Sequence, residues 1–220
     1  MDQGRPKPDL IIFDCDGVLV DSELLSCRCL SDVLAEFGFQ LSVVQALELF
    51  LGRSTKAIEQ HYRDHGQVLP DDFIPRVKGR VLETFSGALQ PIPGVDTVLS
   101  ELKAPCCVAS SSDLDRVSLS LDVTGLAQHF GDRLYTAQMV RHGKPAPDLF
   151  LHAAEKMGAK PARTLVIEDS VSGVQAARAA GMMVWGFVGG GHYRSRDGRA
   201  ILSAAGADRV FAQMSDFWGA

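Results

Sequence analysis

The chain has 220 residues, of which 46% are hydrophobic and 22% are charged, and its formal net charge is −5. These values are ordinary for a soluble globular protein of one domain, or of one domain with a large insertion. They exclude collagenous and disordered proteins. Because the charge is mildly acidic and no basic run occurs, we expect no nucleic-acid partner. Because no apolar stretch approaches the roughly 18 residues that span a bilayer, we expect no membrane partner.

The cysteines indicate the compartment. There are five, an odd number, and Cys27/Cys29 and Cys106/Cys107 lie too close in sequence to suggest a disulfide framework. The first residues, MDQGRPKPD, lack the apolar segment of a secretory signal. These features together predict a protein of the reducing cytoplasm.

The first predicted element is a short strand, Leu10–Phe13, and a helical block follows it. This block contains no convincing strand, and helical spacing of apolar residues predicts four helices within it: Leu24–Phe37, Val43–Leu51, Thr55–Asp64 and Phe73–Phe85. A helical block inserted after the first strand indicates a second, smaller domain. We therefore assign residues 22–89 to an all-α cap and residues 1–21 and 90–220 to the core.

Strands and helices alternate after the insertion. Nearly continuous apolar runs predict strands buried on both faces of a parallel sheet, and helical patterns separate several of them: strands at Cys106–Ser110, Thr164–Asp169 and Met183–Val188, and helices at Leu149–Met157 and Val171–Ala180. This alternation predicts an α/β fold with a Rossmann-like, doubly wound parallel sheet.

Polar side chains terminate the predicted strands, at the edge where open α/β sheets form their sites. Because parallel strands end at the same edge, we expect several carboxylates to converge there with one lysine and one serine. Hard oxygen ligands of this kind suit Mg²⁺. A single aspartate after a strand is more often a turn or helix-cap residue, but the whole group is harder to explain in that way: Asp14, Asp16, Ser110, Lys144, Glu168 and Asp169.

Four ordered motifs resemble those of the haloacid dehalogenase superfamily: FDCDGVLVDSE (residues 13–23), VASSS (108–112), HGKPAPDLF (142–150) and VIEDSVSGVQAARAAG (166–181). The best match is the subgroup with a helical cap after the first motif, which includes β-phosphoglucomutase and many small-metabolite phosphatases. The cap and the stretch APCCVAS (104–110) look most like those of 6-phosphogluconate phosphatases.

The resemblance implies a role for each residue at the strand ends. Asp14 would be the nucleophile that accepts the phosphoryl group as an aspartyl phosphate, and Asp16 would be the general acid and base. Ser110 would hydrogen-bond the transferring phosphoryl group, and Lys144 would neutralise its charge. Mg²⁺ would be bound by the side chains of Asp14 and Asp169 and the backbone carbonyl of Asp16, with Glu168 close by.

The remaining expectations concern the substrate. Ser111, Gly52, Arg53 and Lys78 are predicted to contact it. The resemblance also implies phosphate-ester chemistry, because the dehalogenases and phosphonate hydrolases of the superfamily lack the second aspartate of the first motif, here Asp16. This leaves a phosphatase or a phosphomutase.

The mutase has a histidine where this chain has Ser26 and an arginine where it has Thr55, so a phosphatase acting on a sugar or sugar-acid phosphate is favoured. The phosphomutase remains the alternative, and a non-catalytic metabolite-binding protein is the third hypothesis. The expected partner is a small phosphorylated metabolite, and the expected oligomeric state is a monomer or weak homodimer.

Overall fold

The core of the protein is one sheet of six parallel strands. A computed structural model describes residues 7–52 and 55–218 of the chain. The strands lie in the order β3-β2-β1-β4-β5-β6, and all pair in parallel. Their bounds are β1 Leu10–Phe13, β2 Cys106–Ser110, β3 Leu134–Thr136, β4 Thr164–Glu168, β5 Met183–Phe187 and β6 Arg209–Phe211.

Helices cover the sheet and fill the insertion. Their bounds are α1 Glu23–Glu36, α2 Val43–Phe50, α3 Thr55–Asp64, α4 Phe73–Ala88, α5 Val95–Glu101, α6 Leu114–Val123, α7 Asp148–Lys156, α8 Val171–Ala179 and α9 Gly198–Ala205. Among the described residues, no helix combines the length and the apolar character needed to cross a membrane.

The predicted fold class, a doubly wound α/β sheet, is confirmed, and the four central strands agree with the apolar runs to within one residue. The sequence reading missed β3 and β6. Both are edge strands of three residues that are only partly buried, so neither has the continuous apolar run that marks a strand buried on both faces.

Alternate residues of the central strands pack into two hydrophobic clusters, one on each face of the sheet. In β1, Ile11 and Phe13 belong to one cluster and Leu10 and Ile12 to the other. This alternation follows from the two-residue period of a strand. The cluster that contains Phe13 continues into the apolar faces of α1–α4, so the inserted helices share a hydrophobic core with one face of the sheet.

The insertion leaves and rejoins the core at one place. Val20 and Pro91 form an isolated antiparallel bridge, and the backbone N–H of Asp21 donates a hydrogen bond to the carbonyl of Gln90 at 3.0 Å. The two connecting segments therefore run side by side. Helices α1–α4 lie between them in sequence, and the division into a core and a cap at residues 22–89 stays a prediction.

The strand order places a switch point between β1 and β4. From β1 the chain builds outward to β2 and β3, then crosses to the other side of β1 to form β4. Ligands in open α/β sheets bind beyond the carboxyl ends of the strands at such a switch point. Phe13 and Ile167 are opposite each other in the ladder, so the residues that follow them, Asp14 and Glu168, emerge side by side.

Candidate active site

A buried lysine joins the ends of the two switch-point strands. The Lys144 Nζ lies 2.6 Å from Oδ1 of Asp14 and 2.6 Å from Oε1 of Glu168, and it donates a third hydrogen bond to the carbonyl of Ala109 at 2.9 Å. Its side chain is only 1% exposed. All three ammonium protons therefore have acceptors, which is what a buried lysine requires.

Three carboxylates lie close together beside this lysine. Asp14, Glu168 and Asp169 are buried, and one oxygen from each lies within 4.8 Å of the others. Among the residues that the structure describes, Lys144 is the only lysine or arginine that pairs with any of them. One ammonium does not balance three carboxylates, so the cluster carries excess negative charge.

One carboxylate oxygen of this cluster has no hydrogen-bond partner. Oδ2 of Asp169 is buried and unsatisfied, although Nε2 of the buried His192 lies 3.1 Å away. An all-oxygen donor set with excess negative charge and an unsatisfied oxygen fits a hard divalent cation. We conclude that these residues are suited to hold a metal ion.

Two glycines let the backbone approach the carboxylates closely. A Cβ on Gly17 would lie 1.8 Å from Oδ2 of Asp169, and one on Gly173 would lie 1.8 Å from Oε1 of Glu168. Gly17 also has φ of +76°, a conformation that other residues rarely adopt. The sharp turn after β1 therefore depends on glycine, both for its backbone angle and for space.

Asp16 has a separate set of partners. Its Oδ1 accepts hydrogen bonds from Ser22 Oγ at 2.6 Å and Arg116 Nη2 at 2.5 Å, and its Oδ2 accepts one from Ser112 Oγ at 2.6 Å. Ser22 precedes α1, Ser112 lies in the loop after β2, and Arg116 belongs to α6. Two aspartates only two positions apart thus lie in different electrostatic surroundings.

The pKa values of the two aspartates move in opposite directions. Burial raises the pKa of Asp14 well above its ordinary value, Lys144 opposes this shift, and the charge of Glu168 adds to it. Burial also acts to raise the pKa of Asp16, but Arg116 and the hydroxyls of Ser112 and Ser22 outweigh burial, and the net pKa is lowered. Asp16 is therefore ionised in this arrangement, in the form that can accept a proton.

Burial also acts to lower the pKa of Lys144, but Asp14 and Glu168 outweigh it and the net pKa is raised. The lysine therefore stays charged at neutral pH. A fixed positive charge beside Asp14 is suited to neutralise an anion that binds there.

Asp14, Asp16 and Glu168 open onto a cavity of about 90 Å³ between the carboxyl ends of the strands and helices α1–α4. Its wall contains most of the residues that sequence reasoning nominated: Asp14, Asp16, Gly52, Ser110, Ser111, Lys144 and Glu168. The rest of the wall is mainly apolar, including Leu30, Phe50, Ile58, Val77 and Val81. Ser110 is 1% exposed, and its Oγ accepts a hydrogen bond from the backbone N–H of Ser112.

Lys78, one of the residues nominated to contact substrate, does not line this cavity. Lys78 forms an ion pair with Asp113 and lines a neighbouring cavity of about 230 Å³. Arg53 lies outside the described residues. Gly52 adopts φ of +68°, and its carbonyl accepts a hydrogen bond from Ser172 Oγ at 3.3 Å, which joins the inserted helices to α8.

Sequence reasoning missed several polar residues of the site: Ser22, Glu23, Ser112, Arg116 and His192. Glu23 lies in the cavity wall, and burial, with the charges of Asp16 and Asp169, raises its pKa to about 8. A signal existed for Arg116, because it lies one helical turn beyond the VASSS motif. None existed for His192, whose loop approaches the cluster only through the fold.

A family model for haloacid dehalogenase-like hydrolases matches residues 8–181. The chain is 31% identical over 186 residues to a 6-phosphogluconate phosphatase of Escherichia coli K12, with 84% of each chain covered. It is 35% identical over 175 residues to a fructose-1-phosphate phosphatase of the same strain, covering 78% of this chain and 92% of that protein.

A solved structure has the same fold. The haloacid dehalogenase-like protein ATU0790 of Agrobacterium tumefaciens superimposes with a TM-score of 0.80, at 38% identity and with 95% of both chains covered. The match of the family model extends over most of the sequence, including all the strand ends that form the site. The chain belongs to the haloacid dehalogenase-like hydrolases.

Proposed function

We propose that the enzyme is a magnesium-dependent phosphatase that moves the phosphoryl group of a small sugar or sugar-acid phosphate to Asp14 and then to water. Its broader class, phosphoric monoester hydrolase, follows from the family and from relatives that are phosphatases. The observation that carries the proposal is the contact of Lys144 with both Asp14 and Glu168 at the switch point.

Asp14 has the position expected of the nucleophile. It follows the central strand β1, lies in the cavity wall, and is held from one side through Oδ1 by Lys144. Attack by a carboxylate on a phosphoryl group forms an acyl phosphate and divides the hydrolysis into two easier steps. Lys144 would stabilise negative charge on the phosphoryl oxygens, the electrostatic work that phosphoryl transfer requires.

Asp16 has the position expected of the acid and base. It lies in the same cavity wall as Asp14 but in different surroundings. A pair of carboxylates whose pKa values are separated by their environments is typical of divided acid, base and nucleophile roles. Ionised Asp16 would accept a proton from the water that hydrolyses the phosphoenzyme; to protonate the leaving group in the first step it must first gain a proton.

Asp14, Glu168 and Asp169 are the residues that would hold Mg²⁺, together with the backbone carbonyl of Asp16. Bound there, the ion would neutralise negative charge shared by the carboxylates and the phosphoryl oxygens. The unsatisfied Oδ2 of Asp169 supports this assignment.

The substrate class rests on the relatives and on the cavity. The two Escherichia coli proteins are phosphatases of 6-phosphogluconate and of fructose 1-phosphate. The cavity in this chain is small and combines apolar residues with Glu23, Ser26 and Arg116. Side chains that donate and accept hydrogen bonds suit the hydroxyls of a sugar. The expected partner is a small phosphorylated metabolite.

Hydrolysis is favoured over mutase chemistry by the identity and the partner of Ser26, which lies in the cavity wall. Ser26 stands where the mutase has a histidine, and its Oγ accepts a hydrogen bond from Arg116 at 2.9 Å. A hydroxyl engaged in this way does not replace an imidazole as a proton carrier. The cytoplasmic location, the monomeric or weakly dimeric state and the lack of a nucleic-acid partner stay predictions.

The experiment that tests the proposal is inorganic phosphate release across a panel of sugar phosphates and phosphorylated sugar acids, with Mg²⁺ or with EDTA. We expect release from a narrow subset, only with the metal, and none from Asp14→Asn. The panel includes β-glucose 1-phosphate with and without a sugar bisphosphate. Conversion of the 1-phosphate to the 6-phosphate without phosphate release would identify a mutase. If neither phosphate release nor this conversion occurs with any compound, the chain is a binding protein.

A further inference from the structure

Arg116 connects Asp16 to the inserted helices. It belongs to α6 of the core, and its Nη2 donates hydrogen bonds to Oδ1 of Asp16 at 2.5 Å and to Oγ of Ser26, in α1, at 2.9 Å. Its guanidinium also lies over the ring of Phe85, in α4, with 5.0 Å between the guanidinium carbon and the ring centroid. One side chain thus contacts a predicted acid–base residue and two helices of the insertion.

These contacts restrict which oxygen of Asp16 is free to react. A carboxylate has about four acceptor sites, two on each oxygen. Oδ1 accepts from Ser22 and Arg116, so both of its sites are used, whereas Oδ2 accepts only from Ser112. Among the described contacts, the remaining acceptor site of Asp16 is therefore on Oδ2.

Arg116 also lies at the boundary between two spaces. It lines the cavity that contains Asp14 and the neighbouring cavity that contains Lys78. Both spaces lie between α4 and the core. A movement of α1 and α4 away from the sheet would separate Arg116 from Ser26 and Phe85, whereas its contact with Asp16 lies within the core.

We propose that Arg116 is a positioning residue for the second step of the reaction: it holds Asp16 through Oδ1, so that Oδ2 accepts the proton of the hydrolytic water. This inference rests on the proposed function of Asp14 and Asp16. Arg116 itself touches neither the phosphoryl group nor the water.

Arg116 supports the step in which water hydrolyses the phosphoenzyme. The oxygen of water forms a bond to phosphorus, and the bond between phosphorus and the carboxylate oxygen of Asp14 breaks. The electron pair of that bond returns to Asp14 as a carboxylate. The water gives one proton to Oδ2 of Asp16, and inorganic phosphate leaves. No oxidant or co-reactant is involved.

The test is a rapid-quench experiment with p-nitrophenyl phosphate, whose leaving group departs without a proton donor. The variant Arg116→Met keeps the apolar stem and removes the guanidinium. We expect it to release one equivalent of p-nitrophenolate per enzyme in a burst, while the later steady rate falls by about 10²-fold, the usual cost of a misplaced group near the reaction. Phosphoryl should accumulate on Asp14 during that phase.

Controls separate positioning from folding. Arg116→Lys should recover part of the steady rate, because it keeps a positive charge near Asp16, and Arg178→Met, an exposed arginine paired with Asp208, should match the wild type. A burst that shrinks in proportion to the steady rate would mean that Arg116 only supports the fold, and an unchanged steady rate would mean that it has no role; either overturns the inference.

Asp16→Asn distinguishes failure of the inference from failure of the proposed function. If Asp16→Asn accumulates phosphoenzyme and Arg116→Met does not, the inference fails while the function of Asp16 stands. If the wild type and all variants carry no phosphoryl group on Asp14, the proposed function fails and the inference fails with it.

Discussion

The ammonium of Lys144 lies 2.6 Å from the carboxylate of Asp14, although the two residues are 130 positions apart in the chain. The contact exists because β1 is central in a parallel sheet and the segment after β3 returns over its carboxyl end. Burial makes the pair electrostatically strong, since neither group is solvated by bulk water. This relationship underlies the proposed chemistry of the site.

Replacing Lys144 should therefore affect catalysis far more than replacing another lysine. We expect Lys144→Met to lower kcat by about 10²–10³-fold, the usual cost of losing one group that stabilises transition-state charge. Steady-state phosphate release measures this. The matched control is Lys103→Met, at an exposed lysine, which should leave kcat unchanged. If both substitutions change kcat equally, Lys144 does not stabilise the transition state.

Gly17 offers a test of the close approach between the β1 turn and Asp169. Gly17→Ala should abolish most activity, because its Cβ would overlap Oδ2 of Asp169. Gly66→Ala is the control: Gly66 has φ of +71°, close to the +76° of Gly17, but a Cβ there would meet nothing within 4 Å. Both variants should lose some stability in thermal unfolding, and only Gly17→Ala should lose Mg²⁺ binding. If the two behave alike, backbone strain alone accounts for the effect.

A metal ion at the carboxylate cluster should stabilise the fold. When the free metal concentration is 100 times Kd, binding to the native state adds about 2.7 kcal/mol to the free energy of unfolding. We expect Mg²⁺ to raise the Tm of the wild type, EDTA to reverse this, and Asp169→Asn to remove most of the increase. If the Tm with saturating Mg²⁺ equals the Tm with EDTA, there is no metal site at Asp14, Glu168 and Asp169.

Glu23 should make stability depend on pH. Its pKa is raised from 4.5 to about 8, first by burial and then by the charge of Asp16. Between these values the folded state holds a proton that the unfolded chain has released, so the stability contributed by Glu23 is complete below pH 4.5 and is lost as the pH rises through about 8.

The variant Glu23→Gln stays neutral at every pH, so its stability relative to the wild type should increase between pH 5 and pH 9. Because one pKa unit corresponds to about 1.4 kcal/mol, the increase should exceed about 1 kcal/mol. Denaturant unfolding of both proteins at each pH measures it. A constant difference across this range would mean that Glu23 titrates normally.

The sequence was sufficient to predict the strands that are buried on both faces. Strands β1, β2, β4 and β5 have continuous apolar runs, and the acids at their ends follow from parallel topology. The edge strands were missed because two of the three residues in each are only partly buried. The helices of the insertion were predicted because apolar residues recur at helical spacing on their buried faces.

The site was harder to predict wherever a long side chain reaches across the fold. Arg116 contacts Asp16 from 100 positions away, and nothing in the local pattern of α6 specifies where its guanidinium lies. Lys78 pairs with Asp113 in this structure, and its contact with the substrate stays a prediction. Sequence spacing places a residue on one face of a helix. The position of the charged end of a long side chain depends on the charged groups near it in the fold.

The role of Asp14 as nucleophile is tested by identifying the residue that carries the phosphoryl group. The enzyme is mixed with a substrate from the panel, quenched during turnover, and reduced with borohydride, which converts an aspartyl phosphate into homoserine. We expect homoserine at position 14 in the wild type and none in Asp14→Asn. A phosphoryl group found on another residue, or turnover with Asp14 unmodified at every time point, would rule out Asp14 as the nucleophile.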